Sequence, residues 1–70
     1  MSIAKLSQRE HEVFILIGEG LTLTQIAKKL FINSRTVSVY RKRILDKLNI
    51  KSTSQLIHFY ILNKLNKNKN

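Results

Sequence analysis

Cysteine and proline are absent from the 70-residue sequence, and its only glycines are Gly18 and Gly20. Without cysteine, neither a disulfide framework nor a thiolate metal site can form, so an apolar core alone must stabilise the chain. No apolar run approaches the roughly 20 residues that span a bilayer, and the first ten residues lack the apolar stretch of a secretory signal. We therefore expect a cytoplasmic domain over residues 1–67, with no cofactor, metal or membrane contact and a frayed basic tail at 66–70.

No segment alternates apolar and polar residues for long, which excludes most sheet architectures and favours short helices joined by tight turns. Three helix starts carry a capping box, in which two side chains each bond the other residue's free backbone N–H. These boxes are Ser7 with Glu10, Thr22 with Gln25, and Ser52 with Gln55, while Asn33 is a single cap. The sequence thus predicts an all-α domain of four helices, over about 7–19, 22–30, 34–48 and 53–65.

The apolar residues of these helices recur at the spacing of one buried face. The expected core is Val13, Phe14, Leu16, Ile17, Ile26, Ala27, Leu30, Val37, Ile44, Leu48, Leu56 and Tyr60. Phe31 and Ile32, in the turn between the second and third helices, are expected to point inward. That turn is only three or four residues long, which is the geometry of a helix-turn-helix over about residues 22–48.

Acidic residues are also scarce, since four Asp and Glu stand against 13 Lys and Arg, for a formal charge of +9. Three of the four lie in residues 1–20, whereas residues 21–70 carry 11 of the cations and Asp46 as their only acid. This asymmetry indicates a polyanionic partner for the second part of the chain. Charge alone leaves nucleic acid, an anionic membrane and an acidic protein open.

The third predicted helix has a cationic outer side opposite its apolar side. Small residues in the middle of that side, bracketed by long cations, suit close approach to base edges with phosphates on either flank. The predicted base-reading residues are Arg35, Ser38, Val39 and Lys42. The predicted contacts to the DNA backbone are Thr22, Thr24, Thr36, Tyr40, Arg43 and Lys47. The alternative is a basic helix face that is merely solvated.

The stretch from Leu6 to Leu56 resembles, without a gap, the DNA-binding domain of the LuxR/NarL/GerE family of bacterial transcription regulators. The matching positions include Leu6, Arg9, Glu10, Glu12, Val13, Gly20, Ile26, Ala27, Leu30, Thr36, Val37, Ile44, Lys47 and Leu48. The resemblance implies a four-helix, winged-helix-like fold without a wing. It also implies a regulator that binds double-stranded DNA, usually as a homodimer, and reads bases from positions 38, 39 and 42.

The sequence departs from the family pattern at four positions. Ser38 stands where the family usually has Lys, Tyr40 where it has His, Asn33 where it has Ser, and Thr53 where it has Arg. These changes bear on which DNA sequence is recognised rather than on the activity. The resemblance fits either a free-standing regulator or an excised carboxy-terminal domain. In both cases it implies a protein that acts at the nucleoid, and RNA polymerase is a further candidate partner.

The fourth predicted helix carries two apolar stripes, of which one faces the core. With this fourth helix, predicted over about residues 53–65, labelled α4, we call the other stripe the α4 stripe; it consists of Ser54, His58, Ile61, Leu62 and Leu65. An uncovered apolar stripe usually marks a partner site, and the resemblance implies that this helix pairs two subunits around a two-fold axis. The alternative is that the small domain wraps the helix on both sides.

Other function classes find less support in the sequence. His11 and His58 lie alone on different helices, and the four carboxylates form no acid–base pair, so no catalytic residue is assigned. A membrane-binding helix would need a wider apolar face opposite its cations. A protein-interaction or adaptor module, and a promoter binder like region 4 of sigma factors, are the alternatives that remain.

Overall fold

The structure, a computed structural model, describes residues 3–68 of the chain. A single 3-10 turn, Ile3–Lys5, precedes four α-helices, and no strand occurs in this part of the chain. The helices are α1 Gln8–Gly18, α2 Leu23–Leu30, α3 Ser34–Lys47 and α4 Thr53–Asn68. The predicted all-α, four-helix class is confirmed. The last helix ends three residues later than predicted, at Asn68, and residues 69–70 of the predicted tail lie outside the described residues.

The starts of the first three helices have the predicted caps. At α1, the Ser7 hydroxyl accepts from the N–H of Glu10 at 3.2 Å, and the Glu10 carboxylate accepts from the N–H of Ser7 at 2.9 Å. At α2, Thr22 and Gln25 form the same reciprocal pair. At α3, the Asn33 carboxamide oxygen accepts from the backbone N–H of Thr36 at 2.8 Å. Each cap satisfies backbone donors that the helix leaves free, which fixes where the helix begins.

The predicted box at α4 forms only in part. The Ser52 hydroxyl accepts from the N–H of Gln55 at 3.2 Å, as expected. The Gln55 carboxamide, however, accepts from the N–H of Lys51 at 3.0 Å rather than from that of Ser52. The side chain thus ties down the end of the preceding loop instead of closing the reciprocal pair.

Helices α1, α2 and α3 end in the same motif, a residue with positive φ followed by an apolar residue. The positive-φ residues are Gly20 at 95°, Phe31 at 59° and Asn49 at 56°. The apolar residues donate their N–H to the carbonyl five positions back: Leu21 to Leu16, Ile32 to Ala27, and Ile50 to Leu45. They also pack against the core. This Schellman arrangement satisfies the last carbonyls of each helix and turns the chain sharply.

The prediction that Phe31 points inward is wrong. Its side chain is 94% exposed, whereas the neighbouring Ile32 packs against the core as predicted. The left-handed backbone of Phe31 is the physical reason, because the motif directs the following residue inward. A residue with a β-carbon adopts this conformation at a cost of roughly 1–2 kcal/mol.

Helix α1 lies at the centre of the domain and packs against α2, α3 and α4, while α2 packs against α3. The buried core consists of Val13, Phe14, Leu16, Ile17, Ile26, Ala27, Val37, Ile44, Leu48 and Leu56, all predicted. Leu30 and Tyr60, which were also expected in it, are only partly buried. The Phe14 ring lies edge-on to the rings of Phe59 and Tyr60, with centroids 6.0 and 5.7 Å apart.

Candidate nucleic-acid interface

The core anchors one side of α3 and leaves the opposite side in solvent. Val37, Ile44 and Leu48 are completely buried. Opposite them lies a surface that we call the outward face of α3, formed by Arg35, Ser38, Val39, Lys42 and Asp46, with Arg43 on its flank. All of these side chains are exposed except that of Ser38, which is partly buried. The helix orientation predicted from apolar spacing is therefore the one in the structure.

The outward face combines positive charge with a small apolar centre. Val39 is 46% exposed and places a small apolar side chain among the cations of this face. Lys42 lies 3.7 Å from Asp46 one turn later, but both side chains are largely exposed. An exposed ion pair of this kind contributes little to stability, so the Lys42 ammonium remains available to bind another anion.

The predicted backbone contacts fall at the start of α2 and along the flanks of α3. Thr22 and Thr24 are exposed in the cap and first turn of α2, where the capping box already binds the backbone N–H groups of Thr22 and Gln25. The Thr36 hydroxyl donates to the Asn33 carboxamide oxygen at 3.0 Å. Tyr40 is partly buried and packs against the core. Of these four side chains, those of Thr22 and Thr24 are exposed, whereas those of Thr36 and Tyr40 are partly buried.

Lys47 has a partner that the sequence analysis did not identify. Its ammonium lies 2.7 Å from the carboxylate of Glu10, which is 3% exposed and is the only buried charged residue in the described part of the chain. The hydrogen bond from Lys47, and next to it the one from the Ser7 N–H, hold the pKa of the Glu10 carboxyl below its ordinary value of 4.5. The ion pair ties α3 to α1.

A signal for this pair exists in the sequence. Glu10 precedes Val13 and Phe14 by three and four residues, so it lies on the buried side of α1. A carboxylate on a buried face needs a cationic partner, because an unpaired buried charge is costly. A second link was also missed: the Arg41 guanidinium donates to the Thr53 hydroxyl at 3.3 Å and joins α3 to the start of α4.

The α4 stripe lies on a different helix from the outward face of α3. Ser54 and His58 are exposed, and Ile61, Leu62 and Leu65 are 46%, 48% and 58% exposed. These three residues, with Phe31 and Val39, are the large apolar side chains that residues 3–68 leave in solvent. The single chain therefore does not wrap α4 on both sides.

Other kinds of site find no support among residues 3–68. No group of three or more His, Cys, Asp or Glu side chains is placed to hold a metal ion. The His11 ring lies tilted against that of Phe14, with centroids 6.2 Å apart, and His58 is exposed on α4. No helix in this range combines the length and apolarity that crossing a membrane requires.

Residues 4–60 match the family described as bacterial regulatory proteins, luxR family. The chain is 40% identical over 60 residues to the oxygen regulatory protein NreC of Staphylococcus carnosus, covering 86% of this chain and 28% of that protein. It is 46% identical over 57 residues to the transcriptional regulatory protein TdiR of Thauera aromatica, covering 81% of this chain and 25% of that protein. The chain thus spans about a quarter of the length of these curated relatives.

Proposed function

The chain belongs to the luxR family of bacterial regulatory proteins as a helix-turn-helix DNA-binding domain, and from this premise we propose how it acts. It binds double-stranded DNA with the outward face of α3 in the major groove, and two copies pair through the α4 stripe. By this binding it regulates transcription at the nucleoid, with RNA polymerase as a further partner. The oxygen and transcriptional regulatory roles in the relatives' names belong to those proteins.

The composition of the outward face of α3 carries this proposal. The major groove is about 12 Å wide and admits one α-helix. Exposed Arg35 and Lys42 provide donors for the guanine O6 and N7 atoms, while exposed Val39 provides a contact for a thymine methyl group. The partly buried Ser38 leaves room for the helix to approach the bases. We therefore assign base reading to these four residues.

Phosphate contacts on both sides of the groove hold the helix in this register. On one side we assign them to Thr22 and Thr24 at the start of α2. Along α3 we assign them to Thr36, Tyr40, Arg43 and Lys47. The ion pair with Glu10 neutralises the charge of Lys47, so Arg43 contributes more to the salt dependence of binding.

Selection of bound duplexes from a random pool, followed by affinity measurements at several salt concentrations, tests the proposal. We expect affinity to fall steeply with salt, by about 0.9 in the log–log slope for each neutralised phosphate. Lys42→Ala should lose about 1–3 kcal/mol of discrimination at one base pair. Arg43→Ala should weaken binding to all sequences alike and reduce the slope by about 1.

Lys5→Ala is the matched control, because it removes one exposed positive charge outside the helix-turn-helix. This variant should discriminate between base pairs as the wild type does. It should change the log–log slope of affinity against salt by only a small amount. Failure of the wild-type chain to enrich any duplex refutes DNA binding. Equal, sequence-independent losses in Lys42→Ala and Arg43→Ala would instead make Lys42 a phosphate contact.

A further inference from the structure

Phe31 is the most exposed large apolar residue of the described chain, at 94%. It lies in the turn of the helix-turn-helix, one residue after α2 ends and two residues before Asn33, which caps α3. Its backbone is left-handed, with φ at 59°. A positive φ is uncommon for a bulky residue and strains the backbone, so an exposed Phe in this conformation points to a role outside the fold.

The two other positive-φ positions provide an internal comparison. The same cap at the ends of α1 and α3 uses Gly20 and Asn49, the residue types that adopt this conformation most readily. At α2, the apolar contact of the cap comes from Ile32, which packs against the core, and not from Phe31. The cap therefore requires neither an aromatic ring nor an apolar side chain at position 31.

The charged residues near Phe31 in the chain are all cations. Lys28, Lys29 and Arg35 are exposed within four residues of it. Residues 21–45 as a whole contain six Lys and Arg and no Asp or Glu. Such a surface is complementary to a polyanion. Phe31 also lies at the amino-terminal end of α3, the end that meets base edges when a recognition helix enters the major groove.

We propose that Phe31 is a DNA contact, whose ring packs against deoxyribose carbons and a thymine methyl group at the edge of the groove that receives α3. Lys28 and Lys29 bind the phosphates next to that contact. The assignment rests on the proposed function and adds a specificity-determining residue to it. Apolar contact with the thymine methyl favours A·T pairs at the flank of the half-site.

Phe31→Asn separates this role from folding, because Asn tolerates the left-handed conformation and has no ring. On the duplex selected by the wild-type chain, we expect it to bind about fivefold to tenfold more weakly. Its thermal unfolding midpoint should be unchanged or higher than that of the wild type. Phe31→Tyr keeps the ring and should bind within about twofold of the wild type.

Asn49→Gly is the matched control, since it alters the equivalent position at the end of α3 and should leave DNA affinity unchanged. Undiminished affinity of Phe31→Asn would overturn the assignment, and so would loss of binding with loss of folding. A variant that binds DNA normally but fails to act with RNA polymerase would also overturn it, in favour of a protein contact. If the wild type binds no duplex, the proposed function fails first, and this result is distinguishable from the others.

Discussion

The Glu10 side chain both caps the start of α1 and holds α3 in place against it. Its carboxylate accepts from the Ser7 N–H at 2.9 Å, as part of the cap of α1, and from the Lys47 ammonium at 2.7 Å. Both bonds go to the ionised form, which offsets the cost of burying the charge. Because Lys47 lies in the last turn of α3, the pair fixes the far end of that helix against α1.

The lowered pKa of Glu10 predicts a specific acid sensitivity. A depressed pKa contributes stability that is present above the ordinary value of 4.5 and is lost as pH falls through the folded-state value. Glu10→Gln should lose roughly 1–3 kcal/mol at neutral pH, because Gln can still accept from Ser7 but cannot pair with the Lys47 charge. Urea unfolding at neutral and acid pH measures both effects.

The difference in stability between Glu10→Gln and the wild type should shrink below pH 4.5. Glu12→Gln is the control, because Glu12 is 43% exposed in its pair with Arg9 and should change stability little. An unaltered pH dependence in Glu10→Gln would show that the buried pair does not govern the acid response.

At the scale of elements, the contact between α1 and α4 depends on Gly18. This residue is the last of α1, and a β-carbon built on it would lie 2.2 Å from Cγ of Tyr60. The nearby Gly20, with its positive φ, belongs to the cap that ends α1. Gly18 instead provides the space into which the Tyr60 ring packs.

Gly18→Ala should therefore destabilise the domain by roughly 1–3 kcal/mol through overpacking. A glycine-to-alanine change in a helix ordinarily stabilises by up to about 1 kcal/mol, so the expected sign is reversed. The matched test is the same substitution in a Tyr60→Ala background, where the ring is gone and the change should be neutral or stabilising. Thermal unfolding of the wild type, the two single variants and the double variant measures both effects, and an equal effect in both backgrounds would refute the steric account.

The helices were predictable because their determinants are local. The boxes at Ser7 and Thr22 and the apolar spacing of α3 depend on neighbours three or four residues away. The pairing of Glu10 with Lys47, 37 residues apart, depends on how α1 packs on α3, so the charges alone did not identify it. Phe31 was misplaced because its apolar character suggested burial, whereas the cap conformation decides which turn residue faces inward.

For the candidate site, too, local features were predictable from the sequence and features that depend on distant contacts were not. The helical wheel predicted which side chains of α3 are exposed, since the buried side is set by the sequence itself. The roles of Arg35, Ser38, Val39 and Lys42 toward bases remain predictions, because they depend on the DNA partner. The exposure of Ile61 and Leu65 follows from the packing of α4 on α1, but what covers them depends on a second molecule.

At the scale of the whole molecule, a chain of this size has little apolar surface to bury by itself. A domain of about 60–70 residues buries only about 60% of its unfolded surface, and association adds to its stability. Here α4 turns Leu56 into the core and leaves Ile61, Leu62 and Leu65 in solvent. A contact of the α4 stripe with the same stripe on a second copy, around a two-fold axis, would cover these residues.

Such a contact would also place two recognition helices on successive major grooves, about one duplex turn or a small multiple apart. We expect Ile61→Asp combined with Leu65→Lys to remain helical, to sediment as a monomer, and to keep only weak binding to one half of a palindromic site. Gln8→Asp combined with Glu19→Lys introduces similar charges at exposed positions outside α4 and should leave the dimer intact. If the wild-type chain sediments as a monomer even on its full palindrome, the α4 stripe does not pair two copies, and α3 reads its half-site without a partner.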